Sequence, residues 1–153
     1  MKTEGSALAD EGEREIRVRN FAAAEKLLSK AAQADPASAR VQHLLGVSLH
    51  EQGNLDRAIA CYRKAIKHGG SLPGIQRDLG LAFLAKRRYG DSLACYQQAM
   101  RQDPRDELAW QGAASALREM GDIIAARKHF QHALRLKVRR GLRAPWEALR
   151  RLW

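Results

Sequence analysis

The chain has 153 residues, of which 45% are apolar and 29% charged, and a formal net charge of +10. No apolar run approaches the ~20 residues that a membrane-spanning helix needs, and the opening MKTEGSALADEG lacks the apolar segment of a signal peptide. One soluble, cytoplasmic domain is expected. The charge is unevenly placed. From Arg127 onward nine Lys and Arg face a single acid, Glu147, so the last 27 residues carry +8 of the +10.

In chain order, residues 6–18 read as a helix rich in charge, with Glu11, Glu13, Arg14, Glu15 and Arg17. A helix with one face in water at the end of a stack is expected to look like this. Residues 21–34 form its partner, turning Phe21, Ala24, Leu28 and Ala31 inward, and Asp35-Pro36 stops it, because the residue before proline avoids the α region. Residues 38–52 and 55–68 make the next hairpin around Gly53-Asn54, a pair suited to positive φ. In its second helix Leu55, Ala58, Ile59, Tyr62, Ala65 and Ile66 recur at i, i+3, i+4, i+7, i+10 and i+11, the stripe of an amphipathic helix. The link 68–74 is the most flexible by composition. A Gly helix terminus followed by a Pro helix start is preferred there over a hinge. Residues 73–86 and 89–102 form a third hairpin, with Arg87-Arg88 where the previous one has Gly-Asn. Residues 105–120 and 122–138 form a fourth, turning at Gly121-Asp122. After Arg140-Gly141, residues 144–153 read as a short capping helix with Trp146, Leu149 and Trp153 on one side, or else as a partner-binding helix.

These hairpins share one period. A shift of 34 residues carries Gly46 onto Gly80 and Ala114, Tyr62 onto Tyr96 and Phe130, and Ala65 onto Ala99 and Ala133; shifted backwards, Gly46 falls on Gly12 and Ala58 on Ala24. A fixed period of this length signals a repeat architecture in which each hairpin cannot cover its own apolar face and must stack. The small residue kept in the first helix implies close approach of two backbones, with Tyr62 filling the space between hairpins.

At these columns the chain resembles the tetratricopeptide repeat family, over about residues 5–138. Asp35-Pro36 and Asp103-Pro104 match that family's repeat ending, and Gly69-Gly70 departs from it. Trp110 stands where the signature aromatic opens the first helix; Leu8, Gln42 and Gln76 hold that column elsewhere. The first repeat departs furthest, with Glu11 and Glu15 where Leu and Tyr are usual. The resemblance implies an all-α, right-handed superhelix of four repeats, at about 5–38, 39–72, 73–106 and 107–140, plus the capping helix at 144–153.

It also implies a concave wall built from the first helices. The lining residues would be Arg40, His43, Val47 and His50, then Arg77, Leu81 and Leu84, then Gln111, Ser115 and Arg118, with Glu13 and Ile16 added by the first repeat. Such a groove pairs an apolar strip with arginines whose forks hold carboxylates. The expected function is a non-enzymatic scaffold or adaptor that binds a protein or peptide segment, one bearing acidic groups in particular. Two frames were tried for the carboxylate clamp by which one branch of the family holds heat-shock chaperones: Ala9, Glu13, Leu44, Gly74, Asp78, and His43, Val47, Asp78, Leu108, Gly112. Neither matches.

A second reading uses the basic patch Arg135, Lys137, Arg139, Arg140, Arg143, Arg150 and Arg151 to bind nucleic acid or an anionic membrane. A third makes the chain a regulatory repeat module of a larger enzyme. Self-association through the open ends of the stack is a further expectation. No catalytic motif, cofactor loop, small-molecule substrate or metal site is expected. His129 and His132 share a helix face without a third ligand, so a surface role is preferred. Cys61 and Cys95 lie one repeat apart, too far for a disulfide between helices packed 8–10 Å apart. Free thiols in a reducing compartment are expected.

Overall fold

The computed structural model describes residues 4–69, 72 and 74–150, with side chains through Gly141. Eight helices follow one another: α1 (Glu4–Arg17), α2 (Phe21–Ala34), α3 (Ala39–Glu51), α4 (Leu55–Gly69), α5 (Ile75–Ala85), α6 (Tyr89–Gln102), α7 (Glu107–Glu119) and α8 (Ile123–Arg150). No strand occurs among the described residues. Successive helices pair, and the first helices also meet one another, α1 with α3, α3 with α5 and α5 with α7. Among the described residues the backbones of the second helices stay apart, and α2 and α4 touch through the Arg57–Glu25 ion pair at 2.8 Å. A stack whose odd helices touch while its even helices splay must curve, with the odd helices on the inside.

The turns inside the hairpins repeat as faithfully as the helices. Arg19, Gly53, Arg87 and Gly121 lie 34 residues apart and all have positive φ, at 60°, 80°, 58° and 88°. Glycine is the natural occupant of such a position, and an arginine there carries a local strain of about 1–2 kcal/mol. Caps define the helix starts: Ser38 Oγ accepts from Val41 N–H, and Asp106 Oδ1 accepts from the amides of Leu108 and Ala109 at 3.0 and 3.2 Å. The α2–α3 and α6–α7 links share another device. Gln42 Nε2 donates to the Pro36 carbonyl, and Trp110 Nε1, in the same column, donates to the Pro104 carbonyl. Gln42 thus does the polar half of the signature aromatic's work.

The core runs along the stack. Tyr62 and Tyr96 are its largest fully buried side chains. A Cβ placed on Gly46 would stand 2.6 Å from the Tyr62 ring, and one on Gly112 would stand 2.2 Å from the Tyr96 ring. Each tyrosine therefore occupies room that only the absence of a side chain on a neighbouring first helix leaves open. Ser48 and Ser92 are fully buried, and each donates to a backbone carbonyl, of Leu45 and Gly80.

Several boundaries differ from those read in the sequence, α1 running Glu4–Arg17 rather than 6–18 and α7 Glu107–Glu119 rather than 105–120. Helix α5 starts at Ile75 with Gly74 as its left-handed N-cap, φ 87°, rather than at residue 73. The separate capping helix at 144–153 is not a separate element: α8 continues through Gly141 and on to Arg150. One glycine costs a helix only about 1 kcal/mol, and the surrounding Leu, Lys, Arg and Ala are strong helix formers. Trp153 and Arg151 lie outside the described residues, and the side chains of Arg143, Trp146, Leu149 and Arg150 outside the described side chains.

Candidate functional site

The expected lining residues all lie on first helices, and several of their charges are paired within the chain. Arg40 on α3 reaches back to α1, where one guanidinium nitrogen lies 2.6 Å from Glu13 and 2.9 Å from Asp10. Glu13 also accepts from Arg17 at 2.6 Å. Hydrogen bonds from Arg40 and then Arg17 hold the Glu13 carboxyl below its ordinary value, and the same contacts raise Arg40. His43 Nε2 lies 2.7 Å from Asp78 Oδ2 on α5, with its ring tilted against Tyr62 at 5.9 Å. Arg77 on α5 donates to Asp106 Oδ2 at 2.9 Å, at the N-terminus of α7. Every junction between repeats is thus bridged on the inner side by a base and an acid from successive first helices or their caps.

Sequence reading placed Arg40, His43 and Arg77 on this wall and missed Asp78 and Asp106 as their partners. Asp106 caps α7 in the structure, whereas the sequence reading began that helix at residue 105. Nothing in local pattern says that the same carboxylate serves the neighbouring repeat. The apolar strip is present: Val47 and Leu84 are half-buried and Leu81 is 44% exposed. His50 is half-buried, with Nδ1 3.9 Å from Glu51. Gln111, Ser115 and Arg118 line a cavity of about 480 Å³ at the last hairpin, together with Ala114, Ile123, Ala126, Arg127 and Phe130. Arg118 is exposed and lies 3.3 Å from its neighbour Glu119.

On α8, Arg135, Lys137, Arg139 and Arg140 are all exposed. Arg140 also lies 3.4 Å from Glu107, a buried acid whose Oε2 has no hydrogen-bond partner among the described residues. His129 and His132 flank Trp110, with ring centroids 5.2 and 4.1 Å from it. Among the described residues no group of three or more His, Cys, Asp or Glu could hold a metal ion. Cys61 and Cys95 are both free, and burial raises both thiols, Cys95 to about 11. No described helix is long and apolar enough to cross a membrane.

Stacked hairpins with a curved inner wall define an α-helical repeat solenoid. Residues 9–73 and 77–151 match the tetratricopeptide repeat family, and the chain belongs to it. It is 32% identical over 114 residues to cilia- and flagella-associated protein 70 of Homo sapiens, covering 72% of this chain and 10% of that protein. It is 38% identical over 61 residues to superkiller protein 3 of Saccharomyces cerevisiae, 40% of this chain and 4% of that protein. A peroxisomal targeting signal receptor of Candida glabrata is 34% identical over 65 residues, 42% of this chain and 11% of the receptor. The chain thus spans about a tenth or less of these relatives. Among solved structures, MamA superposes with a TM-score of 0.85 at 20% identity, over 90% of this chain and 80% of that one. PilF of Pseudomonas aeruginosa does so with 0.78 at 21%, over 87% and 61%. Those likenesses are of fold.

Proposed function

We propose that the chain is a non-enzymatic interaction scaffold whose inner wall binds a protein or peptide segment. The observation that carries this reading is the apolar strip Val47, Leu81 and Leu84, left open on a wall whose charges are otherwise paired. An apolar surface of this kind, rimmed by polar groups, is where a partner gains burial. Support comes from the family, whose repeats are typically interaction modules, and from a relative named as a receptor for a targeting signal. Because Arg40 and Arg77 are engaged within the chain, the bound segment is anchored by apolar side chains. An acidic group on it is read by Arg118. The test compares native affinity purification on wild type, Leu81→Glu and the surface control Lys26→Glu. Proteins enriched by wild type and the control and lost with Leu81→Glu support the groove. An identical set with all three refutes it.

The exposed Arg135, Lys137 and Arg139 favour a second reading, binding of an anionic polymer or surface along α8. Titration with nucleic acid and with anionic vesicles at rising salt decides it, since such binding falls steeply with salt.

A further inference from the structure

The two ends of the stack differ in kind. At the start, Glu11 and Glu15 occupy the columns that hold Leu45, Leu79 and Ala113, and Leu49, Phe83 and Leu117, in the later repeats, where all six are buried. Helix α1 carries five acids against two arginines. At the other end, Ile123, Ile124, Phe130 and Leu134 are 60, 74, 56 and 51% exposed. Between residues 123 and 141 there are six Lys and Arg and no acid. Phe130 stands in the column of Tyr62 and Tyr96, which are 1 and 2% exposed because a following hairpin covers them.

We propose that this open end receives the α1 end of a second copy of the chain, so that copies add head to tail as one more repeat junction. The internal junctions give the register. Lys86 pairs with Asp56 across the second junction. Moved by two repeats, that pair becomes Ile124 of one copy against Val18 of the next, the two most exposed large apolar side chains among those described, at 74 and 71%. Arg63 lies over the Phe83 ring at 5.7 Å, and the same move sets Gln131 beside Glu15. Ile59 is buried in one cluster with Leu79 and Phe83. Its column at the open end holds Arg127, while the columns of Leu79 and Phe83 at the start hold Glu11 and Glu15. An apolar contact inside the chain is thereby replaced, on both partners at once, by opposite charges. The column beneath the aromatic knob holds Asp78 beside Tyr62, Gly112 beside Tyr96 and Asp10 in α1. Two basic open ends facing each other would repel, so charge selects the head-to-tail arrangement. Such a contact joins different surfaces and leads to a ring or a filament.

Sedimentation velocity on the full chain tests this across protein concentration at low and high salt. Wild type associates with concentration, and added salt weakens the association. Arg127→Glu alone and Glu15→Arg alone each weaken it at least about tenfold, since each sets like charges against one another. An equimolar mixture of the two variants restores it, because every junction in the mixture again pairs opposite charges. Phe130→Ser, at an exposed position, also weakens it, and circular dichroism confirms that all variants are folded. A monomer at every concentration, association untouched by either reversal, or a mixture no better than its parts would each overturn the proposal. Loss with Phe130→Ser but not with the reversals would mean open ends paired back to back.

Discussion

Gly112→Ala on α7 tests the packing logic most directly. The new Cβ would stand 2.2, 2.3 and 2.7 Å from Cζ, Cε1 and Cε2 of Tyr96, where carbon atoms prefer about 3.5–4.0 Å. The ring must move by more than about 1 Å. It is 2% exposed, and α5 hems it in as well, since a Cβ on Gly80 would lie 3.2 Å from it. Overpacking of this kind costs about 1–3 kcal/mol. Alanine in a helix interior returns about 0.5–1 kcal/mol over glycine. The net is a loss of about 1–2 kcal/mol, or a fall in Tm of about 2–8 °C for a chain of this size. Gly80→Ala, with a contact only slightly tight, should stay within about 0.5 kcal/mol of wild type, because strain and propensity offset. Gly141→Ala, where a Cβ would meet no described neighbour within 4 Å, should gain about 0.5–1 kcal/mol. Urea and thermal unfolding followed at 222 nm give all three. If Gly112→Ala melts at or above wild type, Tyr96 is not confined between α5 and α7, and the account of why small residues recur is wrong.

Arg77→Gln removes the fork that holds Asp106 and should cost about 1–2 kcal/mol, whereas Arg118→Gln, at an exposed position, should cost less than about 0.5; urea midpoints compare them. The depressed Glu13 carboxyl contributes stability that is present above its unfolded value of 4.5 and lost as pH falls through its lower folded value. Between pH 4.5 and acid, Glu13→Gln should therefore lose stability less steeply than wild type, as read from unfolding midpoints along the titration. With its thiol raised to about 11, Cys95 should react with iodoacetamide at pH 8 far more slowly in the native chain than in urea; equal rates would show that burial does not protect it.

Much of the fold was legible because a repeat states its packing several times. Phe21, Leu55, Tyr89 and Ile123 open the four second helices at intervals of 34, and each expected start fell within one residue of the observed one. Turn chemistry was legible at Gly53 and Gly121 and opaque at Arg19 and Arg87, where the same positive φ is imposed by the hairpins on either side. The end of α8 was misread because Gly141 and Pro145 look like punctuation, and punctuation is a local signal. The first helices were legible as elements, and the charge pairing between them was not. Which carboxylate reaches Arg40 or Arg77 depends on residues about 30 positions away and on the rise from one repeat to the next.

That pairing sets what the wall can recognise. A ligand carboxylate that approaches Arg40 or Arg77 competes with Glu13 or Asp106 for a guanidinium whose charge is already balanced within the chain. Such a competition has little net free energy to offer. Burial on Val47, Leu81 and Leu84 has no competing partner and is insensitive to ionic strength. Affinity of the inner wall for the segment it captures should accordingly change by no more than about threefold between 50 and 500 mM salt, where surface ion pairs are largely screened. Self-association through Arg127 and Glu15 should weaken over the same range. Measuring both by titration on one preparation separates the two surfaces. A groove affinity that collapses with salt would mean that Arg40 and Arg77 leave their internal partners when the ligand binds.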